Sequence, residues 1–216
     1  MIRLSSLNAI VDDDAATRAG WRLLDVASEC LAGGATFIQL RAKQRSSAWL
    51  LDTAQQVVEL SRKAGAQVIV NDRADIARLA DADGVHVGQD DLAPSYVRQF
   101  LGPDRIIGLS THSVTQLDAA VEQPIDYVAV GPIFGTASKD TGYDAVGLTL
   151  VREAAARARV RGLAVVAIGG ITLERAEDVL RAGATSVAII SDLLSTGDPR
   201  ARVREYLDKF AAIRKV

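Results

Sequence analysis

Short runs of β-branched and aliphatic residues recur along the chain, and longer stretches with apolar residues at helical spacing separate them. Strand patterns that alternate with helix patterns predict βαβ units and a parallel sheet. Eight such strands are predicted, each followed by a helix. They span residues 7–11, 36–40, 67–70, 84–87, 105–109, 125–130, 163–168 and 185–190.

Capping signals mark the ends of several helices. The first helix is predicted over 17–32, where Gly33-Gly34 stops it. Thr172 predicts the start of a seventh helix, and Asp198 followed by Pro199 predicts the start of the last one. The remaining helices are predicted over 46–63, 73–80, 93–101, 113–122 and 148–160.

Polar residues that bind charge or phosphate follow nearly every predicted strand at once. They meet on one face if the parallel strands close into a ring, which is the arrangement of the (β/α)8 TIM barrel. An open doubly wound sheet concentrates its ligand contacts at one switch point instead, and no G-x-G-x-x-G follows the first strand. The pattern therefore predicts a single (β/α)8 barrel domain over 1–216 and an enzyme.

Composition narrows the class of protein. A net charge of −2 argues against a nucleic-acid binder that relies on bulk electrostatics. The single Cys30 cannot form an internal disulfide, and its helical setting predicts a small core residue. No apolar stretch approaches the roughly 20 residues that span a bilayer, and no signal peptide is recognisable. We therefore expect a cytoplasmic protein without a membrane partner, and a homo-oligomer is left open.

Two cations follow the second predicted strand. Arg41 and Lys43 are two residues apart, so on an extended segment they point to the same side, which Gln39 shares. Converging cations suit a phosphate or diphosphate. A solvated basic turn explains the same residues equally well at this point.

Two acidic residues follow the next two strands. Asp72 and Asp91 come from strands that are neighbours in a barrel, so their carboxylates can share a Mg²⁺ ion with phosphate oxygens and water. The alternative is that each caps the helix that follows it. Asp90 competes with Asp91 for the metal, and spacing alone does not separate them.

The later loops also carry candidate phosphate ligands. A connection from Gly131 to Gly147 has the glycines of a movable lid and carries Lys139 as a third cation. Gly169-Gly170 and Ser191-Asp192 follow the seventh and eighth strands, where barrels commonly hold a phosphate.

The two histidines differ in their expected roles. His86 lies within an apolar run and is predicted to be an interior, hydrogen-bonded histidine. His112 follows Ser110-Thr111 at a helix start, where it can serve as an acid or base or in the helix terminus.

Seven segments of the chain together resemble the thiamine phosphate synthase family. They are FIQLRAK at 37–43, VNDRADIA at 70–77, ADGVHVGQDD at 82–91, IGLSTHS at 107–113, DYVAVGPIFGTASK at 126–139, VAIGGIT at 166–172 and AGATSVAIIS at 182–191. The resemblance implies an enzyme that joins a pyrimidine methyl diphosphate to a thiazole phosphate and releases pyrophosphate, using Mg²⁺.

The resemblance also implies a role for individual residues. Asp72 and Asp91 correspond to the metal ligands, and Arg41, Lys43, Ser110 and Lys139 to the catalytic residues. The implied contacts of the pyrimidine diphosphate are Gln39, Leu40, Arg41, Ala42, Lys43, Asn71, Ser110 and Lys139. Those of the thiazole phosphate are Thr136, Ala137, Ser138, Gly170, Ile190 and Ser191. Two departures are mild: Ser138 stands where the family often has Thr, and the segment 8–12 matches the family's opening strand only loosely.

Two other functions compete with this one. A thiazole tautomerase of the same superfamily shares the phosphate loops and the Ser-x-His around His112, but it gives no reason for Asp72, Asp91 and Lys139 together. A catalytically silent thiamine-precursor binding protein gives no reason for an intact set of cations and carboxylates.

Overall fold

The computed structural model describes residues 4–135 and 143–213, and all eight predicted strands are present in it. The strands are β1 (Leu7–Asp12), β2 (Phe37–Arg41), β3 (Gln67–Asn71), β4 (Gly84–Val87), β5 (Ile106–Thr111), β6 (Tyr127–Val130), β7 (Ala164–Ile168) and β8 (Ser186–Ile189).

The strands close into a barrel in chain order. Every neighbouring pair is parallel, and β1 pairs with β8 through Leu7 with Val187, Asn8 with Ala188, and Ala9 with Ile189. The predicted (β/α)8 barrel is therefore confirmed. Its closure brings the carboxyl ends of all eight strands to one face.

The helices surround the barrel. They are α1 (Asp13–Arg18), α2 (Leu23–Ala32), α3 (Ser47–Ala64), α4 (Ala74–Leu79), α5 (Pro94–Leu101), α6 (Val114–Ala120), α7 (Gly147–Arg161), α8 (Ala176–Arg181) and α9 (Pro199–Ile213), with a 3₁₀ turn over Ser191–Leu194. No helix in the described part of the chain is both long and apolar enough to cross a membrane.

Two predicted helices differ from the structure. The helix expected over 17–32 begins only at Leu23 as α2, and residues 17 and 18 belong to the end of α1. Gly20 adopts the left-handed conformation at φ 76° and separates the two helices. Thr172 does not cap α8: its carbonyl accepts the N–H groups of Arg175 and Ala176 in a turn, and the regular helix begins only at Ala176.

Alternating side chains along the strands divide the core into two layers. The outer layer lies between barrel and helices and includes Leu40, Val70 and Val128, together with Cys30, which is buried as predicted. The inner layer fills the barrel with side chains such as Phe37 and Tyr127. Polar residues occupy the inward positions nearer the carboxyl ends of the strands.

Candidate active site

A cavity of about 420 Å³ opens at the carboxyl ends of the strands. Side chains from the first five strands line one side of it: Asn8, Ile10, Gln39, Arg41, Asn71, His86 and Ser110. Residues after the last two strands line the other side, and these include Gly169, Gly170, Ile190 and Ser191. The barrel therefore brings residues that are far apart in the sequence around a single cavity.

Three amide side chains form a chain across β1, β2 and β3. Asn8 Nδ2 donates to Gln39 Oε1 at 3.3 Å, and Gln39 Nε2 donates to Asn71 Oδ1 at 3.0 Å. Because Asn71 accepts through its oxygen, its amino group is oriented as a donor to whatever binds in the cavity.

Arg41 is held at the cavity wall by a residue that sequence analysis did not single out. Its Nη1 donates to Asp12 Oδ2, and both side chains are almost completely buried. Asp12 also accepts the Ala15 N–H at 2.8 Å and so caps α1. Arg41 Nε is buried without a hydrogen-bond partner among the described residues, which leaves one donor at the cavity wall unsatisfied.

Lys43, Asp72 and Asp91 come together at the ends of β2, β3 and β4. Lys43 Nζ lies 3.0 Å from Asp72 Oδ2. Burial raises the pKa of Asp91, and the neighbouring Asp72 carboxyl, within hydrogen-bonding reach, raises it further, while Lys43 and the Gly88 N–H oppose this. Lys43 lies in an exposed turn, as the alternative of a solvated basic turn expects, but its ammonium group also pairs with an acid of this site.

Neither acid caps a helix, so the capping alternative is wrong. The residue before α4 is Arg73, which makes no side-chain cap, and Asp72 sits at a left-handed φ of 64°. Asp91 Oδ2 accepts the Gly88 N–H at 2.7 Å, within the loop that leads to α5. Among the residues described, no group of three or more His, Cys, Asp or Glu could hold a metal ion. A metal here would take protein oxygens from this pair and its remaining ligands from substrate or water.

His86 orients Ser110 from inside the barrel. Its Nε2 lies 2.8 Å from Ser110 Oγ, and its Nδ1 lies 3.0 Å from the hydroxyl of Tyr127. Tyr127 is completely buried, and burial raises the pKa of its hydroxyl, so the hydroxyl stays protonated. Gly108 makes room for this ring, because a Cβ there would lie 2.0 Å from Tyr127 Cζ. The predicted interior role of His86 is confirmed.

His112 is fixed at the cavity rim. Its Nδ1 lies 2.6 Å from the Gly131 carbonyl oxygen, and its ring stacks on Tyr143 with centroids 4.0 Å apart. A carbonyl can only accept, so Nδ1 carries the proton of this hydrogen bond. The helix behind it, α6, is capped by Ser113 rather than by His112.

The far side of the cavity is formed by loops after β7 and β8. Gly170 has φ 60°, and a Cβ there would lie 2.5 Å from the Gly135 carbonyl oxygen. The glycine is therefore required by its left-handed backbone and by the adjacent loop. Ser191 begins the 3₁₀ turn, whose Asp192 is anchored to α9. Asp192 Oδ2 accepts from Arg202 Nε at 3.0 Å and from the Tyr206 hydroxyl at 2.5 Å.

Several residues implied by the family resemblance have other positions. Leu40 and Ala42 belong to the outer core layer, so their side chains face the helices and only their main chain can contact a ligand. The four residues Thr136, Ala137, Ser138 and Lys139 lie outside the described residues.

The chain is similar to known proteins over most of its length. A family model described as thiamine monophosphate synthase matches residues 7–193. Thiamine-phosphate synthase of Roseiflexus castenholzii is 44% identical over 186 residues, which cover 86% of this chain and 80% of that protein. Its counterpart from Koribacter versatilis is 44% identical over 210 residues, covering 95% and 96% of the two chains.

A solved structure shares both the fold and part of the sequence. Thiamine phosphate pyrophosphorylase from Pyrococcus furiosus superposes with a TM-score of 0.86 at 28% identity, covering 96% of both chains. The region that the family model matches includes every strand of the barrel and every residue that lines the cavity except Ser195. The chain belongs to the thiamine monophosphate synthase family.

Proposed function

We propose that the protein is a transferase that joins a pyrimidine methyl diphosphate to a thiazole phosphate, giving thiamine phosphate and pyrophosphate. The observation that carries this proposal is that Lys43, Asp72 and Asp91 come together at the carboxyl ends of the strands. The cavity lined by Arg41, Gly170 and Ser191 opens on the same face of the barrel. This face of the barrel thus has an acidic pair with a cation, which suits a metal-bound diphosphate, and loop residues that suit a second anion.

The chemistry needs charge neutralisation more than proton transfer. The bond between the methylene carbon and the diphosphate oxygen breaks, and the oxygen keeps the electron pair. The thiazole ring nitrogen then uses its lone pair to form the new C–N bond, and since that nitrogen carries no proton, no base is required. Lys43 supplies positive charge to the departing diphosphate, and Arg41 offers it the Nε–H that the ion pair with Asp12 leaves unused.

Mg²⁺ fits the site by its donor set. Two adjacent carboxylates repel each other, and a hard divalent cation would relieve this repulsion. Asp72 and Asp91 would hold the ion, which when bound would neutralise charge on the leaving group. Asp90 is exposed, and it is Asp91 whose side chain turns back onto its loop beside Asp72.

The amide chain suits the pyrimidine ring. The ring nitrogens are acceptors and the exocyclic amino group is a donor, and Gln39 and Asn71 offer both kinds of group. Ser110, held by His86, and the main chain of Leu40 and Ala42 would complete this side.

The thiazole phosphate is proposed to bind at the opposite side. Gly170, Ile190 and Ser191 line the cavity there. Thr136, Ala137, Ser138 and Lys139 stay predictions from the sequence, as do a cytoplasmic location and a homo-oligomeric state.

Pyrophosphate release tests the proposal. The purified protein, given both substrates and Mg²⁺, is expected to produce thiamine phosphate and pyrophosphate in equal amounts. Asp72→Asn is expected to lower turnover by several orders of magnitude, because one metal ligand is lost, whereas Asp90→Asn serves as a control of equal charge change. Conversion of a thiazole tautomer without pyrophosphate would support the tautomerase instead, and binding of both substrates without any product would support the silent binding protein.

A further inference from the structure

Arg175 places a cation at the thiazole phosphate side of the cavity. It directly precedes α8, its side chain lines the cavity, and its Nη1 donates to the Gly170 carbonyl oxygen at 3.2 Å. Its guanidinium carbon lies 4.8 Å from the centre of the Phe134 ring. These two contacts hold the head of the side chain next to Gly170.

Arg175 differs from nearby arginines in that no carboxylate of the described residues pairs with it. Arg41 forms a buried ion pair with Asp12. Arg202, behind the 3₁₀ turn, is paired with Asp192. Arg175 has no carboxylate within 4.0 Å in the described part of the chain, and it is exposed to solvent. Its charge is therefore available to an anion.

A phosphate monoester bound here needs such a charge. Gly170 and Ser191 can offer main-chain N–H groups and a hydroxyl, which are neutral donors. Guanidinium has five N–H donors in a planar fork that matches phosphate oxygens, and only one of them is used by Gly170. A charged donor contributes roughly twice as much as a neutral one.

We propose that Arg175 binds the phosphate group of the thiazole substrate and so makes the cavity selective for the phosphorylated thiazole over the corresponding alcohol. This inference rests on the proposed function, because it takes the identity of the second substrate from it.

Calorimetric titration tests the role of Arg175 without turnover. The protein is loaded with Mg²⁺ and pyrophosphate and titrated with thiazole phosphate and, separately, with the thiazole alcohol. Arg175→Gln is expected to weaken binding of the phosphate about 10-fold, the loss of one charge-assisted contact, and to leave binding of the alcohol unchanged. Arg175→Lys, which keeps the charge but loses the fork, is expected to fall between.

A matched control lies on the following helix. Arg181 is also exposed and pairs with Glu177 within α8, so Arg181→Gln makes the same change of net charge away from the cavity. It is expected to leave both affinities unchanged. If Arg181→Gln weakened phosphate binding as much as Arg175→Gln, the effect would be one of net charge and the proposal would be wrong.

A purely structural role through Phe134 makes a different prediction. Phe134→Leu removes the ring that Arg175 covers but keeps the cation, and we expect the preference for phosphate over alcohol to persist in it. The proposal would be overturned if Arg175→Gln weakened binding of the thiazole phosphate and of the alcohol equally. It would also be overturned if Phe134→Leu lost the preference for the phosphate.

Steady-state kinetics separates this inference from the proposed function. In an active enzyme, Arg175→Gln is expected to raise KM for the thiazole phosphate about 10-fold, with KM for the pyrimidine diphosphate unchanged. An inactive wild type that still binds the phosphate through Arg175 would contradict the proposed function and support the role of Arg175. If the wild type is active but Arg175→Gln changes the affinity for neither thiazole, the proposed function is supported and the role of Arg175 is contradicted.

Discussion

Asn8 is a completely buried polar residue inside the barrel. Its Nδ2 group donates to Gln39, while its Oδ1 has no hydrogen-bond partner among the described residues. A buried amide group lowers the stability of the folded protein unless its donors and acceptors form hydrogen bonds. Asn8 begins the hydrogen-bonded chain through Gln39 to Asn71, and this chain fixes which group of the Asn71 amide faces the cavity.

Asn8→Ala is expected to release Gln39 and raise KM for the pyrimidine diphosphate about fivefold, the value of one hydrogen bond. KM for the thiazole phosphate should not change, because that substrate is proposed to bind on the opposite side. Steady-state kinetics with each substrate varied in turn measures both constants. Ser186→Ala is the matched control, since Ser186 is also buried but lies outside the amide chain and the cavity wall. Equal increases in both constants would contradict the role given to Asn8.

Cys30 predicts a pH dependence of stability. Burial raises the pKa of its thiol from 9.0 to about 12 in the folded protein. The unfolded chain therefore loses this proton first, so the stabilising contribution is complete below pH 9 and declines as the pH rises towards 12. Between pH 7 and pH 10 the wild type should lose about 1.4 kcal/mol more of its free energy of unfolding than Cys30→Ala. Urea denaturation of both proteins at the two pH values measures this, and parallel losses would contradict it.

At the scale of elements, α9 shows which helix ends can be read from the sequence. Asp198 and Pro199 were predicted as cap and first residue, and Asp198 Oδ1 accepts the Ala201 N–H at 2.9 Å. The signal is local, since both residues act on their immediate neighbours. The helix predicted over 17–32 is confirmed for α2, but its predicted start is too early, because the left-handed backbone at Gly20 separates α2 from α1.

The cap of α9 gives a prediction for this element. Asp198→Ala is expected to lower the free energy of unfolding by about 1 kcal/mol, because an N–H at the start of the helix loses its acceptor. Asp198→Asn keeps an acceptor oxygen and should restore most of that loss. Urea denaturation of the three proteins measures the effect. Equal losses in the Ala and Asn variants would mean that charge, rather than the cap, stabilises this end.

At the scale of the whole molecule, the sequence predicted residues at strand ends better than residues within strands. Arg41 and Asp72 follow apolar runs, so their place at the carboxyl ends of the strands follows from the barrel alone. Asp12, Tyr127 and Arg202 were missed as parts of the site, because their roles depend on partners that only barrel closure brings near. The sequence offered one signal for Asp12: every second side chain of β1 points into the barrel, and Asp12 falls at such a position.

The stability of the barrel is expected to depend on the proposed metal, because the acidic pair of Asp72 and Asp91 would bind it. Asp72 and Asp91 are close enough to repel each other, so the ion-free barrel holds unfavourable charge at its mouth. A ligand that binds only the folded protein raises its stability, by about 2.7 kcal/mol at a concentration of 100 times Kd. We therefore expect Mg²⁺ with pyrophosphate to raise Tm by roughly 5–10 °C, since 1 kcal/mol shifts Tm by about 2–4 °C in a domain of this size.

Asp91→Asn tests this link, because it keeps an oxygen to accept the Gly88 N–H but loses a charged ligand. Without Mg²⁺ and pyrophosphate, this variant should be at least as stable as the wild type. With them, its Tm should rise little. Asp90→Asn, one residue away and exposed, should show the full shift. Thermal denaturation of the three proteins with and without Mg²⁺ and pyrophosphate decides it. A full shift in Asp91→Asn together with a lost shift in Asp90→Asn would move the metal site to Asp90.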